Sequence, residues 1–287
     1  MATDELVRQK ATLSGLDALE VPTRSRRPLG ARIWKAAWPK LTALVVVMIV
    51  WQLLFLSGWK DPWVLPGPQA VFAELWRQMN TDELWDAFGL TIWRAAYGFA
   101  LSLVIGGAIG LAVARIPFLR AAIGSIITSL QTLPSVAWVP LAILLLQLGE
   151  GTITFVVVLG AAPSIANGVI AGVDFIPPLW MRAGRNIGAR GFALYRHVAG
   201  PASLPAIVAG LKQGWAFAWR SLMAAEIVGA ADATGLGLQM MVYRDLNDAA
   251  GLYAVLITIL IIGLFVDTVF GFVERTMRSR RGLAEAD

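Results

Sequence analysis

The sequence predicts an all-α protein that crosses a membrane six times. Two observations carry this: a chain of 287 residues that is 57% hydrophobic, with a mean hydropathy of +0.66 and 12 tryptophans, and six apolar stretches along it. A soluble domain seldom reaches such apolarity. A helix needs about 20 apolar residues to cross a hydrocarbon core of about 30 Å while satisfying its own backbone hydrogen bonds.

The stretches fall at about 41–58, 95–114, 118–147, 152–173, 204–230 and 253–272. Pro134 and Pro140 lie inside the third, so a bent or interrupted helix is expected there. Small residues recur in the spans, as at Gly106, Gly110, Gly160, Ala161 and Ala162, and let helices approach closely in lipid. Six crossings place both termini on one side. The leading segment (Arg8, Lys10, Arg24, Arg26, Arg27, Arg32, Lys35, Lys40), Arg115 and Arg120, the insert (Arg182, Arg185, Arg190, Arg196) and the tail (Arg275, Arg278, Arg280, Arg281) share that side, with eighteen of the 24 basic residues. Basic residues retain loops in the cytoplasm, which locates both termini and the insert there.

The organisation expected is a cytoplasmic tail over 1–36, a first span over 37–58, an external segment over 59–86 with an interfacial helix, a core of five helices over 87–273, and a cytoplasmic tail over 274–287. The interfacial helix rests on Val71, Phe72, Leu75, Trp76 and Met79 at helical spacing after Pro62, Pro66 and Pro68. Packing against the span ends would produce the same pattern. The segment 229–251 is a second external element that could cap the bundle. No internal repeat announces an inverted-repeat transporter.

Several chemistries are excluded. There are no cysteines and one histidine, so neither thiolate nor multi-histidine metal sites can form. No phosphate loop of the form G-x-x-x-x-G-K-[ST] occurs, so any ATP is bound by another chain. The basic balance follows topology and requires no nucleic acid.

Between the fourth and fifth spans, residues 174–201 are too long for a turn and carry helix-forming sequence after Pro177 and Pro178. Leu179, Trp180, Phe192, Leu194 and Tyr195 are its apolar contacts. This insert resembles the cytoplasmic signature of permeases of binding-protein-dependent ABC importers, Glu-Ala-Ala, three residues, Gly, nine residues, Ile-x-Leu-Pro. Arg182, Ala183 and Gly184 stand on Glu-Ala-Ala, Gly188 on the glycine, and Val198, Ala199, Gly200 and Pro201 on Ile-x-Leu-Pro. Ala183, Gly188 and Pro201 match; Arg182, Gly184 and Gly200 depart. The stretches "LPGPQAV", "TIWRAAYGFALSLVIGGAIG", "LQTLPSVAWVPLAILLLQLGEG", "GLKQGWAFAWRSLMAAEIVGA" and "LFVD" extend the resemblance to the nitrate, sulfonate, taurine and bicarbonate branch, and within it to aliphatic-sulfonate permeases.

The resemblance implies a type I ABC importer permease fold in the bacterial inner membrane. It also implies a homodimer, two ABC ATPase subunits holding ATP and Mg, and an external solute-binding protein. Leu179, Trp180, Arg182, Ala183, Gly184, Gly188 and Pro201 would form the ATPase-coupling element, with the usual acidic contact altered at Arg182 and a compensating acidic or neutral partner residue opposite it. No cofactor is expected on this chain.

Ionisable groups at membrane depth are expensive unless paired or facing a polar cavity, which makes Lys212, Arg220 and Glu226 of the fifth span candidates for a translocation pathway. Trp215 and Trp219 would give an organic anion an apolar surface. Snorkelling of Lys212 and Glu226 to opposite interfaces is an equal alternative, and Arg220 lies nearest the middle. Arg94 and Asp267, near span ends, are expected to anchor an interface or form interspan ion pairs. The function expected is import of a small anion, first an aliphatic sulfonate. The alternatives are the same architecture carrying nitrate, bicarbonate or a vitamin precursor, an ion-gradient-driven anion transporter, or a scaffold that transports nothing.

Overall fold

The computed structural model describes residues 29–229 and 234–280; most of the two tails, with the leading arginines up to Arg27, and four residues of the 229–251 segment lie outside the described residues. The chain divides into two compact units, 1–57 and 58–287. The described part of the first is a single helix, α1 (Leu29–Leu56).

In the second unit, α2 (Pro68–Met79) starts on a proline whose missing N–H is harmless at the first helical position. Then come α3 (Asp82–Arg115), α4 (Pro117–Leu130), a 3₁₀ turn (Ser135–Ala137), α5 (Trp138–Leu146) and α6 (Glu150–Asp174). The insert opens with α7 (Pro178–Asn186) and returns through helical turns at Phe192–Leu194 and Tyr195–Ala199 directly into α8 (Gly200–Gly229). α9 (Leu236–Asp245) and α10 (Ala249–Arg280) complete the chain, and there is no strand among the described residues.

Among the described residues, four helices are long and apolar enough to cross a membrane: Ala37–Leu56 within α1, Asp82–Arg115, Glu150–Asp174, and Ala249–Met277 within α10. The stretches Pro117–Leu130 and Ser135–Leu146 pass the same test together, bent by 102°. The bend falls at Pro134, where an N–H is missing, whereas Pro140 sits in the first turn of α5 and α6 continues through Pro163. α8 is less apolar because it carries Lys212, Arg220 and Glu226, yet its 30 residues span about 45 Å. With the bent pair taken as one crossing the count is five, and α8 has the length a sixth would need.

α6 lies between α3 and α8 and makes the largest helix contacts of the chain with both. Small residues make this possible. A methyl added at Gly110 would lie 2.6 Å from the Ala166 carbonyl oxygen, and one at Gly168 would lie 2.5 Å from the Gly210 Cα. The obstacle in both cases is backbone, which cannot swing away as a side chain can. Around this seam Val156, Val157, Ala161, Ala218, Leu222 and Val255 are fully buried. A smaller cluster, Val113, Ile127 and Ala166 with Leu119, Ile123 and Ile170, packs α3 and α4 onto α6 towards the insert.

Gly110→Val and Gly168→Val should therefore each lower the thermal unfolding midpoint in detergent sharply, as overpacking of about 1–3 kcal/mol or more requires. Gly107→Val, at a position with nothing within 4 Å of an added methyl, should leave it near the native value.

Candidate functional site

The insert is a structured element. Pro178 opens α7, and the helix ends in a left-handed turn at Gly188, φ +89°. The Gly188 N–H donates to the Arg185 carbonyl at 3.0 Å and the Ala189 N–H to the Gly184 carbonyl at 3.0 Å, the pair of bonds that terminates a helix on a glycine. Nothing lies within 4 Å of a methyl at Gly188, so it serves the turn and not a close approach. Gly184 is the buried residue of α7, and a methyl there would meet Leu194 Cδ1 at 2.8 Å and Val198 Cγ2 at 2.9 Å. The glycine that departs from Glu-Ala-Ala thus lets α7 rest on the returning chain.

The other face of the insert is open. Leu179 is 69% exposed, Ile187 85% and Phe192 78%, with Trp180, Arg182, Ala183 and Arg185 also exposed. Large apolar side chains on a charged segment, exposed in the isolated chain, form a surface of the kind that a protein partner or a lipid surface can cover.

The candidates on α8 separate into different environments. Lys212 pairs with Asp267 of α10, Nζ to Oδ1 at 3.5 Å. Trp215 and Trp219 stack at 6.4 Å, and Trp215 meets Phe99 edge-on at 5.3 Å and Phe270 at 6.1 Å, so both indoles belong to an aromatic cluster joining α3, α8 and α10. Arg220 is exposed, its guanidinium 5.0 Å over the Phe217 ring and its Nε donating to the Ala216 carbonyl at 3.1 Å.

Glu226 is 0% exposed and forms the centre of a network that the sequence did not assemble. Arg94 Nη1 donates to it at 2.9 Å, Thr91 Oγ1 at 2.9 Å, and the Gly237 N–H at 3.0 Å. Arg94, 4% exposed, also donates through Nε and Nη2 to both oxygens of Glu150 and through Nη1 to the Thr234 carbonyl. The Leu236 N–H donates to Thr91 Oγ1 at 2.9 Å. One guanidinium thus joins α3 to the start of α6, the end of α8 and the chain entering α9. The carboxylate also accepts from the first turn of α9, where a helix presents unsatisfied N–H groups. Arg94 and Glu226 each stand in apolar sequence, and the rule that membrane-depth charges find partners was the signal that could have paired them. Thr91 and the exposed Glu150 had none.

Residues 102–279 match the family described as binding-protein-dependent transport system inner membrane component. The chain is 29% identical to a putative aliphatic sulfonates transport permease protein of Escherichia coli over 235 residues, covering 80% of this chain and 87% of that one. It is 26% identical to a nitrate import permease protein of Synechocystis over 267 residues, covering 88% and 94%. Among solved structures, a chain of the MetNI methionine ABC transporter in inward-facing conformations superposes with a TM-score of 0.53 at 22% identity, covering 68% of this chain and 94% of that chain.

Arg94→Ala leaves a buried carboxylate unpaired and should cost roughly 3–5 kcal/mol, while Glu150→Ala, at an exposed partner, should cost under about 1 kcal/mol; thermal unfolding in detergent compares the two. Gly188→Val forces a branched side chain into a left-handed turn. It should cost about 1–2 kcal/mol by the same measurement.

Proposed function

Since the chain belongs to the family of binding-protein-dependent transport system inner membrane components, we propose that it passes a small anion, first an aliphatic sulfonate, across the inner membrane into the cytoplasm. It is the permease subunit of an ABC importer, a transport component and not an enzyme. Family membership sets aside the ion-gradient and scaffold alternatives.

The working unit is two copies of this chain, two ABC ATPase subunits that hold ATP and Mg, and a solute-binding protein outside. Both termini and the 174–201 insert face the cytoplasm, following the basic residues. The single observation that carries this reading is the folded insert with its uncovered apolar face, Leu179, Trp180, Ile187 and Phe192. In the assembly these residues seat in the ATPase. Arg182 and Arg185 lie on the same helix, and a neutral or acidic surface opposite them fits their charge. Closure of the ATPase pair then moves α7, and through the returning turn it moves α8.

Sulfonate is favoured by the sulfonate-permease relative and by the "WAFAWRSLMAAE" sequence; the nitrate-permease relative supports nitrate as the second reading. Both solutes are oxyanions. Arg220 is the pathway candidate that remains on an exposed face, and it lowers the barrier for the anion without holding it tightly. Lys212, Trp215, Trp219 and Glu226 then act from behind, by keeping α8 in place against α3 and α10.

Uptake in a permease-deleted strain with the ATPase intact tests the solute: growth on an aliphatic sulfonate as sole sulfur source should be restored by this chain, and growth on nitrate alone would decide for the second reading. Arg220→Gln, in a complex that still assembles, should lower sulfonate uptake about tenfold or more, since it removes about 1.4 kcal/mol or more of barrier lowering. Leu179→Asp with Trp180→Ala should abolish co-purification of the ATPase while the permease still folds. Undiminished co-purification would show that the insert is not the seat.

A further inference from the structure

The insert leaves α6 at Asp174 and rejoins the bundle at the helical turn Tyr195–Ala199. Both of its ends touch the same corner of the chain. Arg120 Nη2 lies 2.8 Å from Asp174 Oδ1, and the guanidinium of Arg115 lies 4.3 Å over the ring of Tyr195. Arg115 is the last residue of α3 and Arg120 stands in the first turn of α4, so one short turn reaches the exit and the return of the insert together.

That turn is itself stiff. Ile116 donates its N–H to the Ala112 carbonyl at 2.9 Å and accepts at its carbonyl from the Arg120 N–H at 3.1 Å, so each helix is hydrogen-bonded through the corner, and Pro117 fixes the backbone between them. Beneath it Val113, Leu119, Ile123 and Ile127 pack against Ala166 and Ile170 of α6. The return is less regular: Tyr195–Ala199 is a π-turn, a local widening of the helix that often coincides with functional positions. Arg115 covers the residue that begins it.

We propose that the Arg115–Arg120 corner is a clasp that makes the insert, α3 and α4 move as one body, with Arg115, Tyr195, Arg120 and Asp174 as positioning residues of energy coupling. This rests on the reading of 174–201 as the ATPase-coupling element. Without the clasp a push on α7 reaches the bundle only along the chain, through α6 and α8. With it the same push displaces the corner directly, and hence α4 and the bent segment that follows at Pro134. The broken crossing is then driven from its cytoplasmic end.

The chain has no cysteine, so pairs of introduced thiols can be cross-linked without prior removal of native ones. The experiment uses the full complex of permease, ATPase and binding protein in proteoliposomes, with solute-stimulated ATP hydrolysis and uptake measured together. Arg120→Asp should lower the stimulation of hydrolysis by solute-loaded binding protein about fivefold or more, and Arg120→Asp with Asp174→Arg should restore it. Tyr195→Leu should show the same loss, and Tyr195→Phe, which keeps a ring under Arg115, should not. In Arg120→Cys with Asp174→Cys the pair is lost and coupling should fall as in Arg120→Asp, and joining the two thiols with a short cross-linker should bring uptake back towards the native level, because the joined groups never part.

Failure of that cross-link to bring uptake back, or full coupling in Arg120→Asp and Tyr195→Leu, would overturn the clasp. If the native chain failed to retain the ATPase at all, the coupling reading and the clasp would fall together. If the ATPase bound every variant with coupling unchanged, the clasp alone would fall.

Discussion

The close approach of α6 to α3 on one side and α8 on the other is the constraint on which the other contacts depend. In lipid the hydrophobic effect does little to hold helices together, so contact has to come from packing, and packing at this distance is open only to glycine and alanine. Gly110 against Ala166 and Gly168 against Gly210 bring backbones where a methyl could not fit. Once those distances are set, polar groups on the three helices can reach each other. Arg94 meets Glu226 at 2.9 Å because α3 and α8 both lie against α6, and Asp174 at the far end of α6 meets Arg120 at 2.8 Å.

The two ends of α6 are held by different chemistry. At the Glu150 end the buried carboxylate of Glu226 has three kinds of donor, a guanidinium, a hydroxyl and a backbone N–H, which together compensate for its removal from water. At the Asp174 end the contacts are exposed and individually weak, as surface pairs are. The buried junction at the Glu150 end resists rearrangement, while the exposed one at the Asp174 end yields more easily.

Membrane-depth charge was the feature most open to two readings. Lys212, Arg220 and Glu226 lie on one helix in apolar sequence, and each could have lined a path or found a partner. In the folded chain Lys212 faces Asp267, Glu226 faces Arg94, and Arg220 keeps an exposed face over Phe217. The same physics gave three outcomes, because the neighbour each side chain meets is set by helix rotation and not by composition.

The residues by themselves determined the membrane class, the helical crossings, the interruption near Pro134 and a structured insert at 174–201, since each follows from local properties: apolar length, a missing N–H, or proline and glycine at fixed spacing. The resemblance carried by Ala183, Gly188 and Pro201 reached the family for the same reason, spacing along one segment. Tertiary structure alone decided that Arg94, Thr91, Glu150 and Glu226 form one network, that Trp215 and Trp219 pack with Phe99 and Phe270, and that one corner holds both ends of the insert. Thr91 and Glu226 are separated by 135 positions, and no local rule specifies which faces of two distant helices will turn towards each other.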